Sequence, residues 1–249
     1  EKGLEPLATE LFNQQTDDLK AAAASFVRPE NGVADMDTAL AGARDIIAEW
    51  INENKDAREA LRALYRMEGE FVSSAVEGME KQGAKYRDYF DWKEPVSSAP
   101  SHRVLAMRRA EREGFTILRV TVPDEKAVEL LRRLFVKGSC AAAEQVELAL
   151  EDAYKRLLSH SIETEIRLET KKRADEKAIS IFADNLRQLL LAPPLGRKRV
   201  LAIDPGFRTG CKVVCLDSQG KLLHSDTIYL HKNKQLDEKA TEQVKALCE

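Results

Sequence analysis

Two consecutive prolines, Pro193 and Pro194, divide this sequence into parts with different periodicities. Neither proline donates a backbone N–H, and a residue that precedes proline is pushed toward extended dihedrals, so no helix runs through the pair. Before them, apolar residues recur every three or four positions; after them, they alternate or fall in short runs. A chain of 249 residues suffices for one or two domains. The break predicts two: a helical body over residues 1–195 and a second domain over 196–249.

Within the first part, Leu4, Leu7 and Leu11, then Leu19 through Phe26, follow helical spacing and stop at the loop around Pro29, Asn31 and Gly32. Leu40, Ala43, Ile47, Trp50 and Ile51 form one stripe of a helix from Asp37 to Asn54. Asp56 is expected to cap the next helix, which carries Leu61, Leu64 and Tyr65 and ends at Gly69. Glu70 to Glu77 reads as a short strand or a helix, and periodicity does not separate the two over so few residues. Ser101 is expected to cap a helix that ends near Gly114, and Phe115 to Val122 has the β-branched content of a strand. Asp124 opens a helix bearing Ala127, Val128, Leu131, Leu134 and Phe135, with Gly138 as its stop. A helix through Val146, Ala149, Leu150, Ala153 and Leu157 follows. A separate, long charged helix from Ile162 to Leu191 then carries Ala178, Phe182, Leu186 and Leu189 toward its end.

Beyond the prolines, Val200 to Ile203, Cys211 to Leu216 and Leu222 to Leu230 read as strands. Asp217-Ser218-Gln219-Gly220 supplies the hairpin turn between the last two. A helix begins near Leu236. Strand, hairpin, strand and helix is the opening of an RNase H-like or actin-like fold. The fold class expected is therefore mainly α: a helical core followed by an incomplete RNase H-like α/β domain of three antiparallel strands and a helix. An unpaired sheet edge attracts other strands, so residues past about 230 are expected to lack fixed order or to lean on another chain. The first residues contain neither an initiator Met nor a signal peptide, and the sequence reads as an internal segment of a longer protein.

Bulk charge narrows the partners. The net charge of −3 exerts no global pull on nucleic acid or anionic membrane, so any such contact must come from a local cluster. No apolar run reaches membrane-spanning length. Cys140, Cys211, Cys215 and Cys248 form no C-x-x-C pair and have no histidine at zinc spacing. Cys211 and Cys215 share a strand face with Val213 and read as buried, reduced thiols, which points to a cytoplasmic protein.

Two stretches carry candidate chemistry. The first is the loop Asp204-Pro205-Gly206-Phe207-Arg208-Thr209-Gly210, at the strand end where α/β folds place ligands. Gly206 and Gly210 let the backbone pass close to a phosphate or metal, while Arg208 and Thr209 add a charge and a hydroxyl. Asp204 has three readings: a ligand of a two-metal nuclease site, part of an actin-like nucleotide-phosphate loop, or the cap of a tight turn. Two-metal chemistry needs several converging carboxylates, and Asp217 and Asp226 stand where ordinary surface carboxylates occur.

The second stretch, residues 84–112, crowds Tyr86, Tyr89, Phe90 and Trp92 beside Lys85, Arg87, Arg103, Arg108, Arg109 and Arg112. The cations are candidates for salt-dependent, sequence-indifferent phosphate contacts or for intramolecular ion pairs; the aromatics are expected to anchor an irregular segment to the core. His102 reads as a structural hydrogen-bonding residue, because Ser101 beside it on a helix does not point at it. Arg197-Lys198-Arg199 reads as a solvated linker.

Three segments together resemble the Tex family of bacterial transcription accessory proteins: GAKYRDYFDWKEP (Gly83 to Pro95), PSHRVLAMRRAEREGF (Pro100 to Phe115) and VLAIDPGFRTGCKVV (Val200 to Val214). The third also resembles the first strand of the YqgF-type, Holliday-junction-resolvase-like RNase H fold. The resemblance implies a nucleic-acid-binding role linked to transcription, with RNA or DNA and the transcription machinery as partners. It implies neither a membrane nor a small-molecule substrate. Asp204 matches the first acidic position of the resolvase-like motif, whose other carboxylates would fall after Glu249. No cofactor is implied, except Mg or Mn should the full-length domain be a nuclease. Ala110 and Leu230 depart from the family pattern, which leads one to expect glycine and proline there.

Overall fold

The computed structural model describes residues 3–206, 209–230 and 234–248, in two compact units, Glu1–Ala183 and Asp184–Glu249.

The first unit opens with α1 (Glu5–Asn13), α2 (Leu19–Ala24), α3 (Met36–Glu53) and α4 (Lys55–Glu68). Gln14, which ends α1, has a left-handed φ of 56°, uncommon for a non-glycine residue. Its side chain helps to hold that geometry: Nε2 donates to the Phe135 carbonyl at 2.6 Å and Oε1 accepts from the Lys137 N–H at 2.7 Å. Asp35 caps α3 by accepting from the Thr38 N–H at 2.7 Å. The cap of α4 is Asn54, accepting from Ala57 N–H at 2.9 Å, not Asp56. Asp56 lies in the first turn, where a negative charge suits the helix dipole.

The ambiguous segment after Gly69 is a strand, β1 (Glu70–Ala75), flanked by β2 (Asp91–Pro95) and β3 (Thr116–Thr121) in an antiparallel sheet of order β2-β1-β3. Phe71 pairs with Val120 and Ser73 with Leu118, and all four are buried. Between β1 and β2, Ala84–Tyr89 forms a 3₁₀ turn. Its Tyr86 is buried against Phe115, 5.9 Å between ring centroids, and Tyr89 meets Trp92 edge-on at 6.2 Å. α5 (Ser101–Arg112) and α6 (Asp124–Phe135) each follow a proline at the cap position, so Ser101 and Asp124 are first helical residues and not caps.

The expected pair of helices after Gly138 is one continuous path. α7 (Ala141–Asp152) runs through a π-helical turn, Ala153–Leu158, into α8 (Ser159–Leu190). Leu150, Tyr154, Leu158, Ile162, Ile166, Thr170 and Ala174 are all buried, each four residues after the last. At roughly 100° per residue, every such step drifts about 40°, so the stripe winds around the helix and the π turn takes up part of the drift. The helix thereby meets successive neighbours. Glu165 pairs with Arg58 and Arg62 of α4, Glu163 accepts from the Val120 N–H of β3, and Arg167 pairs with Glu111 of α5. Phe182, Leu186 and Leu189, which continue the helical pattern in sequence, are exposed.

In the second unit, β4 (Val200–Asp204), β5 (Cys211–Leu216) and β6 (Leu222–Ile228) form an antiparallel sheet in that order. α9 (Lys234–Cys248) covers one face, where Ala240 packs on Val213 and Ile228 with Leu201, Cys211, Val244 and Leu247 around them. Past residue 230, residues 234–248 form α9, and residues 231–233 lie outside the described residues. All four cysteines are free; Cys211 and Cys215 are half-buried beside fully buried Val213. Among the described residues no helix is long and apolar enough to cross a membrane.

Candidate functional site

α5 buries Val104, Met107 and Ala110 and turns His102, Arg109 and Arg112 outward. Ala110 is fully buried within the helix, which suits alanine better than glycine. The six cations of the basic stretch separate into two groups. Lys85 lies 2.7 Å from the Glu113 carboxylate and 4.8 Å from the Tyr86 ring centroid. The bond to Glu113 holds the Lys85 ammonium above its ordinary pKa, and bonds from Lys85 and then Tyr86 hold the Glu113 carboxyl below its own. Arg103 pairs with buried Glu94 and stacks 5.5 Å from the Trp92 ring centroid. Arg108 pairs with Glu111 at 3.0 Å, and Arg167 reaches the same carboxylate at 2.6 Å. These three cations belong to the fold.

Arg87, Arg109 and Arg112 do not. Arg87 is 82% exposed and, among the described residues, pairs only with its neighbour Asp88 at 3.7 Å. Arg109 and Arg112 are exposed and form no ion pair with a described residue. Of the aromatics, Tyr86 is buried, while Tyr89, Phe90 and Trp92 are half-buried, with Tyr89 and Trp92 packed against the core. His102 is exposed and makes no hydrogen bond among the described residues, contrary to the structural role expected of it. Sequence reasoning missed Glu163, a buried carboxylate that accepts from the Val120 N–H at 3.0 Å and faces Arg119 at 3.4 Å and Arg167 at 3.8 Å. Nothing local in the sequence marks it, because its partners come from β3 and the next helical turn.

Asp204 stands exposed at the end of β4. Its loop closes on itself: a Cβ on Gly206 would lie 2.4 Å from the Gly210 carbonyl oxygen. Gly210 has a φ of +84°, and a Cβ there would sit 2.7 Å from Thr227 Cγ2 and 2.8 Å from the Tyr229 ring. Thr209 is exposed; Phe207 and Arg208 lie outside the described residues.

The register sets Lys212 opposite Asp204 and Thr227 opposite Lys212, so these three share one sheet face. Asp226 pairs with Val213 on the other face, where it accepts from Gln243 of α9 at 3.3 Å. Asp217 sits at the far end of β5, its Oδ1 accepting from the N–H groups of Gln219 at 2.8 Å and Lys221 at 2.9 Å. Strand alternation and strand length thus keep these carboxylates apart. Among the described residues no group of three or more His, Cys, Asp or Glu side chains is arranged to hold a metal ion.

Residues 14–182 match the Tex central region and residues 198–249 the Tex protein YqgF-like domain. The chain belongs to the Tex family. The fold is that of a Tex-type helical core followed by RNase H-like strands. Tex relatives include an uncharacterized protein, YdcI, of Bacillus subtilis, 38% identical over all of this chain and 35% of its own length. The transcriptional accessory protein Tex of Neisseria gonorrhoeae is 37% identical over 95% of the chain and 32% of its own length. A human protein described as S1 RNA-binding domain-containing protein 1 is 26% identical over 83% of the chain and 22% of its own length. The Tex-family chain thus spans about a third of the length of the first two relatives.

Proposed function

We propose that this chain is a nucleic-acid-contacting scaffold of a cytoplasmic transcription accessory protein, working with the transcription machinery on RNA or DNA. The helical body over residues 1–195 supplies the contact, and residues 196–249 form the second domain. The observation that carries this reading is the outward face of α5, where Arg109 and Arg112 are exposed and form no ion pair with a described residue. Arg87 adds a third exposed cation on the neighbouring 3₁₀ turn. Exposed arginines suit contacts to the sugar–phosphate backbone. The names of the relatives, a transcriptional accessory protein and an S1 RNA-binding protein, agree with that partner class.

The reading treats the chain as non-catalytic. Asp204 has a lysine and a threonine as its cross-strand company, and Asp226 and Asp217 are held elsewhere. A two-metal hydrolase requires carboxylates that converge on both ions.

Fluorescence anisotropy with labelled RNA and duplex DNA, across a salt series, tests both parts. Arg109→Glu with Arg112→Glu is expected to weaken binding about tenfold or more and to make the salt dependence shallower by roughly two phosphate contacts. Absence of salt-sensitive binding overturns the proposal. Incubation of branched and single-stranded substrates with Mg or Mn is expected to give no cleavage. Cleavage that vanishes in Asp204→Asn would instead establish a nuclease.

A further inference from the structure

Arg87 stands on a turn, and Arg109 and Arg112 on a helix, yet one cluster of contacts ties the two elements together. Lys85, in the 3₁₀ turn Ala84–Tyr89, lies 2.7 Å from the carboxylate of Glu113, the residue that closes α5. The same ammonium sits 4.8 Å from the Tyr86 ring centroid, and Tyr86 bonds to Glu113 as well. Beneath this pair, buried Tyr86 packs on Phe115, 5.9 Å between ring centroids.

The far side of the cluster is built to hold that ring. Gly114, with a φ of +80°, turns the chain out of α5. The Phe115 N–H then donates back to the Ala110 carbonyl at 3.0 Å, and the Phe115 carbonyl accepts from the Val76 N–H at 3.0 Å. Gly83, just before the turn, lies against the same side chain: a Cβ there would be 3.0 Å from Phe115 Cβ, Cγ and Cδ1. Two residues after Lys85, the Arg87 carbonyl accepts from the Phe90 N–H at 3.2 Å.

A largely exposed ion pair such as Lys85–Glu113 adds little stability. On charge alone Glu113 opposes phosphate binding, because it sets a carboxylate in the field of Arg109. What the pair supplies is position. From this geometry we infer that Lys85 and Glu113 are positioning residues for the nucleic-acid contact, holding Arg87 in fixed relation to Arg109 and Arg112 so that the three meet a phosphate backbone as a preformed set. The inference rests on the reading of the α5 face given above. Cations fixed before binding lose less freedom on binding than cations on independently moving segments. Neither Lys85 nor Glu113 has to touch the nucleic acid.

Anisotropy titrations of the full chain with labelled RNA and duplex DNA, across a salt series, test it. On charge alone, Glu113→Ala should tighten binding. The positioning role requires the opposite: binding several-fold weaker, with a salt dependence shallower by roughly one phosphate contact. In that background Arg87→Ala is expected to cost little more, although in the parent it costs several-fold. Exchanging the pair, Lys85→Glu with Glu113→Lys, is expected to recover most of the affinity. Gly83→Val changes no charge but crowds Phe115 and displaces the turn, and it is expected to weaken binding with the same loss of the Arg87 contribution. If the parent binds and Glu113→Ala binds equally or better, or if Arg87→Ala costs as much in both variant backgrounds as in the parent, the inference is overturned and the α5 reading stands. A parent without salt-sensitive binding overturns both.

Discussion

In the first unit, apolar side chains from helices and sheet share one continuous core; in the second, α9 covers one sheet face and much of the remaining apolar surface meets solvent. The largest fully buried side chains, among them Tyr154, Phe71, Ile47, Leu61 and Leu118, all lie in the first unit. The second unit fully buries the apolar residues Val213, Ile228 and Ala240, and Ile203 remains 47% exposed. The contrast separates two uses of hydrophobic sequence. In the first unit burial stabilises the fold against chain entropy. In the second, the cluster of Val213, Ile228 and Ala240 is small, and burial contributes correspondingly less.

The largest expected effect follows from that contrast. Leu61→Ala removes a fully buried side chain from a continuous core and is expected to cost about 2–5 kcal/mol. Val213→Ala removes fewer atoms from a small cluster whose neighbours can close in, and is expected to cost about 1–2 kcal/mol. Denaturant unfolding combined with hydrogen exchange should show two steps, with Leu61→Ala acting on residues before Pro193 and Val213→Ala on residues after it. A single transition shifted by both variants would erase the distinction between the units.

How much of this was legible in sequence depends on how local the deciding interaction is. The stripes of α3 and α6, the β-branched run of β3, the end of the long helix before the prolines and the three strands after them are short-range patterns, and the structure keeps them. The cap positions slipped because Pro100 and Pro123 stand one residue, and Asn54 two residues, before a residue that looks like a cap. The joined path of α7 and α8 was hidden because a four-residue repeat through a π turn breaks the α-helical period. At the candidate site, the presence of the six cations is local information, but their pairing is not. Lys85 and Arg103 are paired with Glu113 and Glu94 by the fold, whereas Glu111 reaches Arg108 through i,i+3 spacing on α5. Arg208, part of the loop at Asp204, lies outside the described residues.

That pairing gives the next effect in size. Arg103→Ala strips the charged partner from Glu94, a carboxylate only 8% exposed, leaving it the 3.4 Å bond from Trp92 Nε1–H, and uncovers one face of Trp92. An abandoned buried acceptor costs about 1–3 kcal/mol, so a loss of stability in this range is expected, with nucleic-acid affinity little changed. Arg112→Ala is expected to do the reverse: stability within about 0.5 kcal/mol of the parent, as for ordinary surface substitutions, and weaker, less salt-sensitive binding. Thermal melts and anisotropy on both variants decide it. Should Arg103→Ala impair binding while the protein stays equally stable, the division of this face into fold and contact residues fails.

The smallest expected effect concerns the arginine ladder on α4, where Arg58 and Arg62 both reach Glu165 of α8 and Arg66 reaches Glu169 at 3.0 Å. Burial alone would raise the Glu165 pKa, yet hydrogen bonds from Arg62 and Arg58 outweigh it and hold the carboxyl below its ordinary value of 4.5. A carboxyl with a lowered pKa in the folded state binds its proton later than in the unfolded chain. Its contribution to stability is therefore complete above 4.5 and is lost as pH falls through the lower folded value. The pair is partly solvated, so the loss is modest, comparable to other exposed ion pairs. Urea midpoints measured from neutral pH to about pH 3 should decline in the parent through that acidic window. In Glu165→Gln the decline should be shallower and the neutral-pH midpoint slightly lower. An equal slope in parent and variant would mean that the guanidinium groups of Arg58 and Arg62 are held by packing alone, and that the contact between α4 and α8 owes its strength to the buried stripe from Tyr154 to Ala174.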